Sequence, residues 1–91
     1  MIETMQAPRA AAATVSLSTS SAQSAALSGR DIIVSCTAAF HIVFGANPTA
    51  TSGNMLVPAN TPRRFTNINP GEKFAAILGS STATLQYFEA L

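Results

Sequence analysis

The feature that most constrains the fold of this 91-residue chain is a series of short runs of alternating apolar and polar residues, separated by turn residues about every ten positions. Such a period of two is typical of half-buried β-strands. The clearest run is 39–44, in which Phe40, Ile42 and Phe44 share one face of an extended strand. Seven runs predict strands, namely 14–18, 30–37, 39–44, 55–57, 63–68, 73–78 and 82–89.

Turn residues support this division of the chain. Asn69-Pro70-Gly71-Glu72 fits a type II turn, because proline presets φ at its second position and glycine supplies a positive φ at its third. A short helical turn over 22–27 is a weaker expectation, and no helix is long enough for a βαβ crossover. We therefore predict an all-β fold, a single antiparallel β-sandwich or jelly-roll-like small barrel of about seven short strands.

The length allows one domain, which we assign to residues 13–91. Residues 1–12 are expected to form an extended N-terminal arm, since Pro8 and the short alanine run leave no room for a stable helix. The alternative is a loose tail. We favour an arm that reaches onto a neighbouring subunit, with Ile2, Met5 and Arg9 as contact residues.

Charge is scarce in this sequence. The chain has five Lys and Arg and four Asp and Glu. Charged residues therefore make up 10% of it, against about 25% in a typical soluble domain. A net charge of +1 argues against nucleic-acid binding, which needs clustered cations to neutralise phosphates. Either the surface is coated with Ser, Thr, Asn and Ala, or other protein covers much of it.

The sequence predicts neither a disulfide nor a membrane span. Cys36 is the only cysteine, which excludes an intrachain disulfide and a cysteine-based zinc site. No run of 18 apolar residues occurs, and Glu3 and Pro8 interrupt the N-terminal stretch where a signal peptide would need an apolar segment. We expect a protein kept in a cytosol-like compartment, or in a particle assembled there.

Catalytic chemistry has little support. His41 is the only histidine, and Asp31 on the preceding predicted strand is the one carboxylate that could lie near it. The other carboxylates are scattered, and the glycine-containing loop 45–53 has no lysine with which to bind phosphate. Cys36 is expected to be a buried, inert thiol. We predict no enzyme activity, no cofactor and no metal.

Two further segments are candidate contact sites. Arg63 and Arg64 form the only basic pair, and one of them could pair with a partner's carboxylates, although adjacent strand residues point to opposite faces. The alternative is an ordinary solvated strand start. The long loop 45–54 is a candidate subunit or ligand contact through residues Asn47, Thr49, Thr51 and Asn54.

One part of the chain resembles a known class of protein. The motifs that carry the resemblance are Ala39-Phe40-His41-Ile42-Val43-Phe44-Gly45, Thr49-Ala50-Thr51, Met55-Leu56-Val57-Pro58-Ala59, Phe65, Pro70-Gly71-Glu72 and Phe74-Ala75-Ala76-Ile77. Over roughly residues 30–89 they resemble the small β-sandwich virion structural proteins of tailed bacteriophages, in which an aromatic strand ends in Phe-Gly and a Thr/Ala-rich loop follows. The resemblance assigns no functional residue.

The resemblance implies a non-enzymatic part of a virion. The expected role is a capsid cement or decoration protein on the outer capsid surface, assembled in the host cytoplasm. Its partners would be the major capsid protein and itself, as a homotrimer or another homo-oligomer. The alternatives are a head spike, neck or tail subunit, and a carbohydrate-binding module that would stack aromatic rings on sugars.

Overall fold

A computed structural model describes residues 13–90, which fold into β-structure without a helix. The predicted arm, residues 1–12, lies outside the described residues, as does Leu91. The strands are β1 (Ala13–Leu17), β2 (Ala22–Gln23), β3 (Asp31–Cys36), β4 (Phe40–Gly45), β5 (Met55–Val57), β6 (Arg63–Phe65), β7 (Lys73–Leu78) and β8 (Ala83–Ala90).

The strands form two four-stranded antiparallel sheets. The first sheet has the order β1-β8-β3-β6, and the second has the order β2-β7-β4-β5. Four antiparallel pairs follow the order of a single long hairpin that is folded over into two sheets. They are β1 with β8, β2 with β7, β3 with β6, and β4 with β5. This is the strand order of an eight-stranded jelly roll, and it confirms the predicted antiparallel all-β sandwich.

The core lies between the two sheets and is built from the inward residues of each alternating strand. Phe40 and Phe74 are its largest fully buried side chains. Phe74 meets the Tyr87 ring edge-on at a centroid distance of 5.0 Å, and its ring lies 5.8 Å from that of Phe44. Such aromatic pairs add about 0.5–1.5 kcal/mol to the stabilisation from the area that they bury. The free thiol Cys36 is buried in the same cluster.

The predicted number of strands was one too low, because β2 has only two residues. The helical turn predicted over 22–27 is also wrong. This segment instead runs along the edge of β7 that does not pair with β4. There the Ser24 amide donates to the Phe74 carbonyl, and the Leu27 amide donates to the Glu72 carbonyl, both at 2.8 Å. Since the edge of β7 satisfies its backbone groups, the segment needs no internal helical hydrogen bonds.

The predicted strand 63–68 is too long at its C-terminal end. The structure ends β6 at Phe65, because Asn67 adopts a φ of 61°, which interrupts an extended backbone. That turn directs Ile68 into the core. The type II turn is confirmed, since Gly71 has a φ of 83° and the Glu72 amide donates to the Asn69 carbonyl at 3.0 Å.

Candidate interaction surface

The outer face of the first sheet is mostly polar and uncharged. Its exposed side chains include Thr14, Ser16, Thr84 and Gln86, which lie on the paired strands β1 and β8. The register of these strands sets Ser16 opposite Thr84 and Thr14 opposite Gln86. Ser, Thr and Gln therefore form the hydrophilic coat of this part of the face, whereas one of the two sequence-based alternatives named Ser, Thr, Asn and Ala.

One ion pair closes the β3–β6 end of this face. Arg64 of β6 donates from Nη2 and Nε to the same Asp31 oxygen, Oδ2, at 2.9 and 3.3 Å. The side chains of Arg64 and Asp31 are 24% and 33% exposed, so the pair is screened by solvent. Arg64, a predicted partner contact, thus contacts a carboxylate of its own chain. Arg63 is exposed and aligns with the inward residue Val34, so the two arginines point to opposite sides of β6, as predicted.

The outer face of the second sheet is partly covered by the loop after β4. Gln23 on β2 donates from Nε2 to the Asn47 side-chain oxygen and to the Pro48 carbonyl, both at 2.8 Å. The Ala50 amide donates to the Ser21 hydroxyl, also at 2.8 Å. Because β7 lies between β2 and β4, the loop must cross the outer side of β7 to reach Gln23.

A second group of loop residues forms a closed turn. The Thr51 amide donates to the Asn54 side-chain oxygen at 2.7 Å, and the Asn54 amide donates back to the Thr51 carbonyl at 3.1 Å. The Gly53 amide also donates to the Thr51 hydroxyl, at 3.3 Å. The predicted contact residues Asn47, Thr51 and Asn54 therefore hold the loop in shape, while Thr49 is exposed between them.

Beyond the loop, the second sheet leaves an apolar surface uncovered. The strand registers align Leu56 on β5 with His41 on β4 and Ile77 on β7, and of these three residues only Leu56 is exposed, whereas His41 and Ile77 are half-buried. Leu56 is 53% exposed, and its neighbour Met55 is 58% exposed at the rim of the sandwich. Among residues 13–89, these two are the most exposed large apolar side chains. The stretch 32–62, which contains both, has no Asp, Glu, Lys or Arg.

Sequence reasoning missed Met55 and Leu56 as surface residues. A run of only three apolar residues has no alternation that could tell a buried strand from an exposed one. The available signal was the length of the uncharged stretch around them. Natural edge strands often carry charge, and β5 is an edge strand without any.

The candidate catalytic groups do not come together. Asp31 lies on the outer face of the first sheet, whereas His41 lies on the outer face of the second, with the core between them. No three His, Cys, Asp or Glu side chains within 13–89 are grouped so that they could hold a metal ion.

Burial raises the pKa of the Tyr87 hydroxyl, and the Glu89 carboxylate adds to that rise.

The predicted contact residues fall into three separate groups. Asn47, Thr49, Thr51 and Asn54 lie on the second sheet's covering loop, and the two arginines lie on β6 of the first sheet. The structure therefore does not combine the loop and the arginines in one site. Ile2, Met5 and Arg9 lie outside the described residues.

The part of the chain that the structure describes contains no helix with the length and apolarity that crossing a membrane requires.

Known proteins give no further guidance to this surface. No family model, curated protein or solved structure matches this chain.

Proposed function

We propose that this chain is a structural subunit of a virion, a cement or decoration protein that binds the major capsid protein shell of a tailed bacteriophage and stabilises it. The observation that carries the proposal is the pair of exposed apolar side chains Met55 and Leu56, which lie within the stretch 32–62 that has no Asp, Glu, Lys or Arg. Exposed apolar groups bordered by polar residues are typical of protein contact sites. Such a surface suits a subunit that is packed against other protein.

The fold supports the proposal by analogy. Eight-stranded jelly rolls recur in viral capsid domains, and they also occur in lectins and in cupins. The fold alone does not decide between these classes, so the surface has to decide. All six aromatic rings in residues 13–89 are buried or half-buried, and Phe44 and Phe65 pack on each other at 5.3 Å. A sugar-binding platform of exposed rings therefore has no candidate in that part of the chain.

The expected binding energy of one subunit is modest. Complete burial of a Leu or Met side chain contributes about 1.5–3 kcal/mol. Since Met55 and Leu56 are already about half-buried, covering both yields about that amount in total. A decoration protein reinforces a shell through many copies, and bivalent or trivalent attachment multiplies such modest contacts.

The test is binding of the purified chain to expanded, empty capsids. We expect saturation at a stoichiometric ratio to the major capsid protein, which means hundreds of copies per particle. A copy number of about a dozen or fewer would instead indicate a neck or tail part, or a head spike. Failure of the full chain to bind capsids at any ratio would overturn the proposal.

A deletion separates the arm from the folded domain. Removing residues 1–12 leaves all eight strands of the sandwich in the chain, so the truncated protein should still fold, while capsid binding weakens. A truncated protein that unfolds at the same temperature and binds capsids as well as the full chain would exclude the arm from the contact. The capsid proposal would then depend on the folded surface alone.

A further inference from the structure

We propose that Met55 is a site of reversible oxidation, at which hydrogen peroxide converts the thioether to the sulfoxide and thereby weakens the binding of the chain to the capsid shell. The oxidation concerns the chain alone, whereas its effect on binding rests on the function proposed above. Met55 is 58% exposed, the most of any large apolar side chain among residues 13–89.

Two sulfur atoms lie within residues 13–89, and only one of them is accessible. Cys36 belongs to the core cluster and is 4% exposed, so its thiol is shielded from a dissolved oxidant. Met55 lies on the edge strand β5, with which β4 is the only described strand that pairs. Since susceptibility to oxidation follows exposure, the Met55 thioether is the sulfur that reacts in this part of the chain.

The reaction balances without any other group of the protein. A lone pair on Met55 Sδ attacks one oxygen of hydrogen peroxide, the O–O bond breaks, and an S–O bond forms. The proton on the transferred oxygen passes to the leaving oxygen, so water is released. The sulfur loses two electrons and the peroxide gains them. Methionine sulfoxide reductases reverse the modification, so it acts as a switch as well as damage.

The surroundings of Met55 make the change in polarity important. Met55 and Leu56 lie within the stretch 32–62, which has no Asp, Glu, Lys or Arg. Oxidation turns a flexible apolar side chain into a polar one. Burying a polar group without a hydrogen-bond partner is unfavourable, so the sulfoxide disfavours contact of this surface with other protein. The free chain should stay folded after oxidation, because more than half of the Met55 side chain already meets water.

Mass spectrometry of the full chain after peroxide treatment tests the site. Trypsin cleaves after Arg30 and Arg63, so residues 31–63 form one peptide in which Met55 is the only methionine. Met55 in the folded chain should gain its oxygen at a rate within about fivefold of that in the urea-unfolded chain, since it is more than half exposed. Alkylation after unfolding should still label Cys36 in full, because burial protects its thiol.

Binding to expanded, empty capsids tests the consequence. Met55 and Leu56 are exposed to a similar extent, so Met55 supplies about half of their apolar contact, and its oxidation should weaken binding by on the order of tenfold. Met55→Gln carries a polar amide at a similar length and should reproduce this loss without peroxide. Circular dichroism checks that the oxidised chain and the variant are folded.

Met55→Leu is the matched control. It keeps an apolar side chain that peroxide does not oxidise, so its capsid binding should survive the treatment. It retains Met1 and Met5, so it also controls for oxidation of the other two methionines. A wild-type chain that is bound to capsids before treatment should oxidise more slowly at Met55 than the free chain, because the contact covers the thioether.

Several results would overturn the proposal. Oxidation of Met55 that is slowed more than about fivefold by folding would show that the thioether is not accessible. Equal capsid binding before and after oxidation of Met55, or an equal loss in peroxide-treated Met55→Leu, would exclude Met55 as the switch. A chain that fails to bind capsids before oxidation would overturn the proposed function, while the mass measurement would still decide whether Met55 is oxidised.

Discussion

Ser24 gives the sharpest test of how the second sheet is completed. Strand β2 ends at Gln23, and the next residue is the one buried polar side chain among residues 13–89. The Ser24 hydroxyl accepts a hydrogen bond from the Phe74 amide at 3.1 Å and donates to the Ala25 carbonyl at 2.8 Å. It thus replaces a strand residue as the partner of a β7 amide.

Replacing Ser24 with alanine leaves the Phe74 amide without its acceptor. A buried amide that loses its partner costs about 1–3 kcal/mol. The main-chain hydrogen bond from the Ser24 amide to the Phe74 carbonyl remains, so the segment should stay in place. For a domain of this size, about 2 kcal/mol lowers the melting temperature by roughly 8–16 °C.

The measurement is urea and thermal unfolding by circular dichroism at a few micromolar. Ser16→Ala is the matched control, since Ser16 is exposed on the outer face of the first sheet, and its effect should stay within about 0.5 kcal/mol. Ser24→Thr keeps a hydroxyl and should recover part of the loss. A Ser24→Ala protein that is as stable as the Ser16→Ala control would refute this account of the hydroxyl.

Three further predictions follow from backbone and side-chain geometry. Gly29→Ala should cost at least about 2 kcal/mol in urea unfolding, because φ is 89° and the new Cβ would lie 2.8 Å from Pro70 Cγ, whereas Gly71→Ala, at φ 83° in open space, should cost less. Ser81→Gly should raise stability by up to about 1 kcal/mol in the same assay, because Ser81 has a φ of 62°; a loss would contradict this. Burial raises the folded-state pKa of Tyr87 above its usual value of 10.0, so the unfolded chain ionises first and wild-type stability should fall as the pH rises above about 10. Unfolding of Tyr87→Phe across that range should lack this contribution, and an equal fall in both proteins would exclude it.

The sequence predicted the long strands well because each had room for a clear alternation. Strand β7 runs over Lys73–Leu78 as expected, and β4 differs from its predicted bounds by one residue at each end. In both strands a period of two along the strand defines which face meets the core. The turn at Pro70 and Gly71 was equally predictable, since its residue types fix the backbone dihedral angles locally.

What could not be predicted depends on distant partners. Strand β2 exists because the edge of β7 accepts it, and its two residues carry no pattern of their own. Gln23 reaches Asn47 across 24 positions of sequence, so nothing local shows that the loop covers the sheet. The exposure of Leu56 has the same origin, because it depends on where the loop stops covering the second sheet.

The pairing of β1 with β8 has a consequence for how the chain acquires its structure during synthesis. Strand β1 is the first strand of the described chain, but its only strand partner in the first sheet is the last one, which begins at Ala83. The ribosome must therefore complete nearly the whole domain before β1 finds its neighbour, while β4 and β5 can already pair. Folds dominated by such distant pairings cross their folding barrier in milliseconds to seconds rather than microseconds. Until then the strands Ala13–Leu17 and Asp31–Cys36 lack β8 between them, so nascent chains are most exposed to aggregation before β8 has been synthesised.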